Sequence, residues 1–567
     1  MTMRSRDVEI VNPEGLAPEL GQGLRDLEKG EIVRRIWDRD WTVWKSEDKE
    51  ISSRLGWLSS PQAVQEEIPD LEAFAASLRN EDLTRAVVLG MGGSSLAPEV
   101  FARSFMTAPG GLELEILDTT EPETVASAGA RLDLRKTLFL VSSKSGTTAE
   151  MVALLSFFYD RARREFGEDR AGDRFVAVTD PGTPLETLSR SLRFRRVFHG
   201  RPDIGGRFSA LSVFGLLPAA LKGVDLRRLL AQAGGMSGAC RLEDPADNPG
   251  AMLGTVLGTA AIKGLDKLTF FVRPPFEPLA NWIEQLVAES TGKEGRGIVP
   301  VIEGRPGPVG AYRKNRLYVE LGAPGEPASG QGVRGLIDQG APLVRLALDD
   351  PYDLAGRFFL WEFATAVAAH FLKINPFDQP DVESTKTKTR AILSGAGETG
   401  SSAAQDLGPV ADGLRILGQG SEASPGDALG RFLGTSRDGD YLAVLAFLPK
   451  RAGVDELIAA LAGRLRQKTR LPVTIGFGPR YLHSTGQLHK GDGNNGLFLM
   501  LAPAVLPEVM IPAVPGISRP AGDFASLFRA QARGDGMALR EKGRRTLTIE
   551  LSSPIEAGIA RVVSLLG

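Results

Sequence analysis

The chain has almost none of the residues that bind metals or form cross-links. Its 567 residues include one cysteine, Cys240, and four histidines. A single thiol excludes an internal disulfide, and no cysteine cluster offers a zinc site. Cys240 reads as a small buried side chain. An excess of either charge sign is also missing. Lys and Arg total 67 against 70 Asp and Glu, a formal net charge of -3. That balance lacks the basic excess of nucleic-acid binders, so no nucleic-acid partner is expected. A local anion pocket needs only a few donors and stays open. Long apolar runs are absent as well. The longest, Ala210 to Leu221 and Phe358 to Leu372, are too short or too interrupted to span a bilayer, so no membrane partner is expected. Met1 to Glu9 alternates charged and apolar residues and has no secretory core. The predicted setting is the cytoplasm.

What is present is ordinary soluble-protein material, 42% apolar and 24% charged. The length calls for roughly two to four domains. Residues 1–80 read as a mostly helical segment without a strong strand pattern, with Ile32 to Trp37 on one amphipathic face. From Arg85 onward short apolar strands alternate with helical stretches: 86–89, 112–117, 137–141 and 175–179 within a domain at 81–235. A second set, with strands at 267–272, 298–302, 317–321 and 343–348 and a helix over 353–372, makes a domain at 236–395. Such repeats predict an α/β chain with two doubly wound, mostly parallel sheets. Residues 322–341 read as a loop or insertion. Residues 396–440, rich in Gly and small residues, read as a linker. Strands at 441–447, 473–477 and 497–501 around a helix at 454–466 make a smaller C-terminal α/β domain at 441–567.

Two strand-to-helix junctions are built from glycine and hydroxyl residues: Gly90-Met91-Gly92-Gly93-Ser94-Ser95 and Ser142-Ser143-Lys144-Ser145-Gly146-Thr147-Thr148. Glycines let backbone approach a ligand closely, and amides at a helix start favour an anion. Loops at the carboxyl ends of neighbouring strands converge on one crevice, so two of them suit a monophosphate. Neither ends in Gly-Lys-Ser/Thr, which argues against a nucleoside triphosphate. Glu289 closes an apolar helix face before Thr291-Gly292, which would aim it at a crevice, although a helix-end acid is ordinarily solvated. Arg207 lies in the loop Gly205-Gly206-Arg207-Phe208-Ser209. A guanidinium held there can stabilise an oxyanion or simply sit at a surface.

Taken in order, Gly205 to Ser209, Glu289-Ser290-Thr291-Gly292-Lys293 and Asn375-Pro376-Phe377-Asp378-Gln379 to Lys386 resemble the signature segments of the glucose-6-phosphate isomerase family. The hydroxyl loop at Ser143 looks like the phosphosugar loop of the wider sugar isomerase (SIS) fold. The likeness runs from about residue 30 to the end and is nearest the isomerase half of bacterial transaldolase/glucose-6-phosphate isomerase fusions. It implies two SIS-type domains and interconversion of glucose 6-phosphate and fructose 6-phosphate through ring opening and a cis-enediol. It also implies roles. Glu289 is the general base, Arg207 stabilises the enediolate, and Lys386 assists ring opening, with Lys388 a rival that the spacing disfavours. Ser94, Ser143, Lys144, Ser145 and Thr148 hold phosphate, while Gly93, Gln285 and Gln379 line the substrate. No cofactor or metal is implied, because a carboxylate moves the proton unaided.

Two departures stand out. Asp381 replaces the family's glycine, and the expected ring-opening histidine is missing between Glu289 and Gln379. His370 lies there but on an apolar helix, as a packing residue. Thr485-Gly486-Gln487-Leu488-His489 resembles the family's Asn-Gly-Gln-His, so the C-terminal domain is expected to deliver His489 or His483. The family's homodimers share active sites, and a histidine from the same chain would relax that requirement. A non-catalytic sugar-phosphate sensor and a mannose-6-phosphate or amino-sugar isomerase are the alternative readings.

Overall fold

The computed structural model describes residues 2–5, 7–303, 310, 312, 314–322, 331–393, 407–417, 424–517 and 522–567. Three sheets organise them. The first runs Glu113–Leu117, Arg85–Leu89, Thr137–Ser142, Phe175–Thr179, Arg196–His199, all parallel. Strand order reverses between Arg85–Leu89 and Thr137–Ser142. The two hydroxyl-rich loops therefore leave the carboxyl ends of adjacent strands at a topological switch point, where open α/β sheets bind ligands.

The second sheet places Val299–Ile302, Lys267–Val272, Arg316–Gly322 and Leu343–Ala347 side by side and parallel. Its far edge corrects the expectation of a strand-free N-terminal segment. Thr2–Ser5 and Val8–Val11 form a hairpin, and Val8–Val11 pairs antiparallel with Leu343–Ala347. Val8 and Ile10 alternate inward with period two, a pattern too short to stand out from the helical stretch behind it. Helices Ala17–Lys29, Ile32–Trp37 and Ile68–Ser77 then follow as anticipated. Helices Pro249–Ile262 and Asp353–Leu372 pack tightly between the first two sheets, with Gly254 against Val367 and Gly258 against Phe371.

The third sheet is larger than expected. Val473–Phe477, Tyr441–Ala446, Gly496–Pro503 and Arg545–Leu551 are parallel. Leu414–Leu417 and Leu407–Ala411 extend it antiparallel. Part of the anticipated 396–440 linker thus belongs to the C-terminal domain, which also takes helix Pro425–Gly434; residues 394–406 and 418–423 lie outside the described residues. The 322–341 loop likewise contains helix Gln331–Asp338, with Val333 and Leu336 buried, while 323–330 lies outside the described residues. In both places a short apolar pattern lies among glycines that read as loop.

Tyr441–Ala446 is apolar throughout because it is buried on both faces. Leu442, Val444 and Ala446 face the domain's own core, whereas Tyr441, Ala443 and Leu445 join Ala288, Val299 and Val301 of the second domain. Phe524 and Leu527, on helix Phe524–Glu541, join the core of the first domain. The C-terminal domain is therefore wedged against both others. Among the described residues no helix is long and apolar enough to cross a membrane.

Helix Val382–Leu393, which carries Lys386, lies along Phe524–Glu541. At Gly534 an added Cβ would meet Thr389 Oγ1 at 2.7 Å and its backbone nitrogen at 3.1 Å. Gly534→Leu should therefore lower stability by about 1–3 kcal/mol, read as a fall in urea midpoint at unchanged slope.

Candidate active site

Arg207 joins the segments. It lies in a single 3-10 turn, Gly206–Phe208, and is 3% exposed. Its Nε donates to Ser290 Oγ at 2.8 Å and its Nη1 to Gln379 Oε1 at 2.9 Å. Nη2 donates to the carbonyls of Pro376 at 2.6 Å and Asp378 at 2.9 Å. Nη1 also lies 3.2 Å from Glu289 Oε1. Burial pulls the Arg207 pKa below its ordinary value, and Glu289 and Asp378 oppose that. The aromatic residues of the same segments hold the frame. The Phe208 ring packs 5.2 Å from Trp57 and 5.4 Å from Phe377, which in turn meets Trp44 edge-on.

Glu289 sits in the last turn of helix Glu277–Thr291. One turn earlier, Gln285 Nε2 donates to Glu289 Oε2 at 3.3 Å and to the His483 carbonyl at 2.7 Å. The glycine loop closes over these groups. Gly92 has φ 56°, and a Cβ there would meet Gln285 Nε2 at 2.7 Å and the His483 carbonyl at 3.0 Å. A Cβ on Gly93 would lie 2.0 Å from the Gly206 carbonyl oxygen. Only glycine lets this loop touch the other two segments.

The structure separates the two C-terminal histidines. His483 Nε2 is 2.9 Å from Glu150 Oε1, which also accepts from Gln531 Nε2 at 2.6 Å. Burial alone would push the His483 imidazole down, but the Glu150 carboxylate overrides it and holds the pKa above 6.5. Lys386 acts electrostatically on both His483 and Glu150. His489 is not at this site, which corrects its candidacy. It is 2% exposed among Tyr441, Tyr481 and Phe498, with Nδ1 unpartnered, and burial holds its pKa well below 6.5. His370 keeps its packing role, with Nδ1 2.7 Å from the Val43 carbonyl. Lys388 pairs with Glu541 at 2.5 Å, which removes it as a rival to Lys386.

The hydroxyl loop is also partly corrected. Ser143 Oγ is 2.9 Å from Thr148 Oγ1 and accepts from the Gly146 amide, giving the loop a closed shape. Ser145 is exposed and 3.1 Å from Thr147 Oγ1. Thr148 precedes helix Ala149–Phe166 without capping it, and Ser94 is buried in the first turn of Gly93–Ser104. These hydroxyls suit an anion. Lys144 does not join them: its Nζ donates to Asp180 Oδ1 at 2.7 Å and to the Arg201 carbonyl at 3.0 Å. Its charge is spent beneath the loop.

Several residues at the site escaped the sequence reading. Glu150 had one signal, a carboxylate two residues beyond the hydroxyl loop on an apolar helix. Gln487 had none. Its Nε2 donates to Asp381 Oδ2 at 2.8 Å and to the Gly292 carbonyl at 2.9 Å, and its Oε1 accepts from the Asp381 amide at 2.9 Å. Lys542 Nζ adds a bond to Asp381 Oδ1 at 2.6 Å. The aspartate in place of the family's glycine is thus a docking point for the C-terminal domain.

Lys293 is 1% exposed and donates to the Asp378 carbonyl at 2.6 Å and to its Oδ1 at 2.8 Å. Burial, aided by Arg207, lowers its pKa from 10.5 to about 8. The unfolded chain then binds the extra proton between those values, so this group makes stability rise with pH across that window and leaves it level above. Lys293→Met should abolish that rise, as measured by urea midpoints from about pH 7.5 to about pH 10.5.

Comparison with known proteins agrees with this geometry. The family model described as phosphoglucose isomerase matches residues 75–299. A glucose-6-phosphate isomerase from Carboxydothermus hydrogenoformans is 28% identical over 407 residues, 62% of this chain and 87% of the relative. One from Rubrobacter xylanophilus is 28% identical over 396 residues, 60% of this chain and 90% of the relative. Among solved structures, a hypothetical protein from Thermus thermophilus superposes with a TM-score of 0.56 at 25% identity, covering 69% of this chain and all of that one. The Chlamydia trachomatis glucose-6-phosphate isomerase superposes at 0.58 and 18% identity, covering 71% and 91%, a likeness of fold. With Arg207, Glu289 and Gln379 drawn together from three segments, the chain is similar to the phosphoglucose isomerase family, whose model it matches over residues 75–299.

Proposed function

We propose that the protein is a glucose-6-phosphate isomerase of glycolysis and gluconeogenesis, acting in the cytoplasm, with each active site complete within one chain. Aldose–ketose isomerisation moves a proton between adjacent carbons and makes the intervening oxygen transiently negative. Glu289 is the base for that transfer. Arg207, fixed by four other acceptors, is a stationary cation 3.2 Å from the carboxylate, suited to stabilising the enediolate without reorganising. It stays protonated throughout, because even a lowered guanidinium pKa lies far above neutrality.

Ring opening requires an acid at the ring oxygen. His483 has that character, because Glu150 binds its Nε2 and favours the charged form, leaving Nδ1 as the nitrogen free to donate. Lys386 assists from the facing helix. The hydroxyls of Ser94, Ser143, Ser145 and Thr148 take the phosphate. The observation that carries the reading is the convergence of Arg207, Glu289 and the His483–Glu150 pair around the glycine loop at Gly92 and Gly93. A sugar-phosphate sensor would need only the hydroxyl loops.

Glu289→Gln should lower kcat for fructose 6-phosphate conversion by about 10²–10⁴, the usual contribution of a general base. His483→Ala should slow ring-closed substrate severely, whereas His489→Phe should leave kcat within about threefold, since His489 faces only the aromatic core. Undiminished turnover in Glu289→Gln would refute the assignment.

A further inference from the structure

We propose that Arg480 is a positioning residue that holds His483 against Glu150, by locking one turn of the C-terminal domain between two carboxylates of the first domain. The inference rests on His483 as the ring-opening acid and adds the device that places it. His483 does not lie on a long element. It closes a single 3-10 turn, Arg480–His483, just after strand Val473–Phe477. Residues three apart in such a turn are eclipsed, so Arg480 and His483 project from the same face, the one turned toward the first domain. The turn's other flank is anchored inward, with Tyr481 Oη donating to Asp535 Oδ2 at 2.6 Å and Leu482 buried.

Arg480 bonds to Glu99 through Nη2, and its Nε lies 3.4 Å from Asp118 Oδ2. Both acids stand at the carboxyl end of the first sheet. Glu99 is on Gly93–Ser104, the helix that begins at the glycine loop, and Asp118 directly follows strand Glu113–Leu117. Glu284, on the helix that carries Glu289, adds a third negative influence on the guanidinium. Bonded to Glu99 and ion-paired with Asp118, Arg480 is turned to the first domain's acids and not to substrate. The far end of the turn is pinned separately, by Gln285 on the His483 carbonyl and by Glu150 on the ring. One domain therefore supplies the imidazole, and the other two fix it at both ends of four residues.

The groups acting on the His483 ring are Glu150, Lys386 and Glu289, so the effect of Arg480 on that ring has a diagnostic sign. If Arg480 acted merely as a nearby cation, its removal would raise the imidazole pKa. If it holds the ring on Glu150, its removal lets the ring drift from the carboxylate, and the pKa falls. The experiment is histidine-selective isotope labelling of the full-length protein, whose four histidines allow a pH titration by NMR. In Arg480→Met the His483 pKa should fall by on the order of one unit. Turnover of ring-closed glucose 6-phosphate should fall at least about tenfold. Carbon-2 proton exchange with an aldotetrose 4-phosphate, whose esterified terminal hydroxyl prevents ring closure, should stay within about twofold.

Arg480→Lys should recover part of both effects, and the double variant Glu99→Gln, Asp118→Asn should reproduce them while retaining Arg480. That double variant decides the matter if Arg480→Met loses its near-ultraviolet dichroism. An unchanged or raised imidazole pKa, or equal loss on both substrates, overturns the proposal. A fallen pKa with both rates intact supports the positioning and overturns ring opening by His483.

Discussion

A buried guanidinium is costly unless every side of it is answered, and the active site is arranged around answering one. Arg207 collects acceptors from Ser290, Pro376, Asp378 and Gln379 and lies beside Glu289. These residues come from widely separated parts of the chain. Satisfying Arg207 therefore brings the segments into register, because a donor left unpaired there would lose its full desolvation cost. The same bonds leave Arg207 fixed before substrate arrives, which an oxyanion stabiliser requires. Lys293 repeats the logic on a smaller scale by tying the Asp378 loop to the end of the Glu289 helix.

The second constraint is the seat of the C-terminal domain. A Cβ on Gly292 would lie 2.3 Å from Leu488 Cα, so the end of the helix that carries Glu289 and the C-terminal domain touch backbone to backbone. Gln487 bridges that contact to Asp381, and helix Phe524–Glu541 supports the helix bearing Lys386. Strand Tyr441–Ala446 buries one face against the second domain as though both belonged to one fold. A domain seated this firmly can present a single imidazole with little entropic cost at each turnover.

Much of this was legible in the sequence because it obeys local rules. The parallel strands follow from short apolar runs ending in glycine, and the meeting of Arg207 with Glu289 follows from motif order. What escaped was non-local. The hairpin Thr2–Ser5 and Val8–Val11 finds its partner strand more than three hundred residues later. Lys144 looked like a phosphate ligand until Asp180, from the next strand's loop, claimed it. His489 and His483 were indistinguishable by composition and differ only in which face of the fold each occupies. Asp381 looked like a defect in a motif, and its partner Gln487 lies 106 residues away.

The central claim is that catalytic base and ring-opening acid come from one polypeptide. Mixing settles it most directly. Glu289→Gln and His483→Ala enzymes, each inactive alone on glucose 6-phosphate, are refolded together and assayed. Sites complete within a chain predict no recovery, because every site keeps one defect. Sites shared between subunits would restore about a quarter of wild-type activity through mixed dimers, and that result would contradict the account.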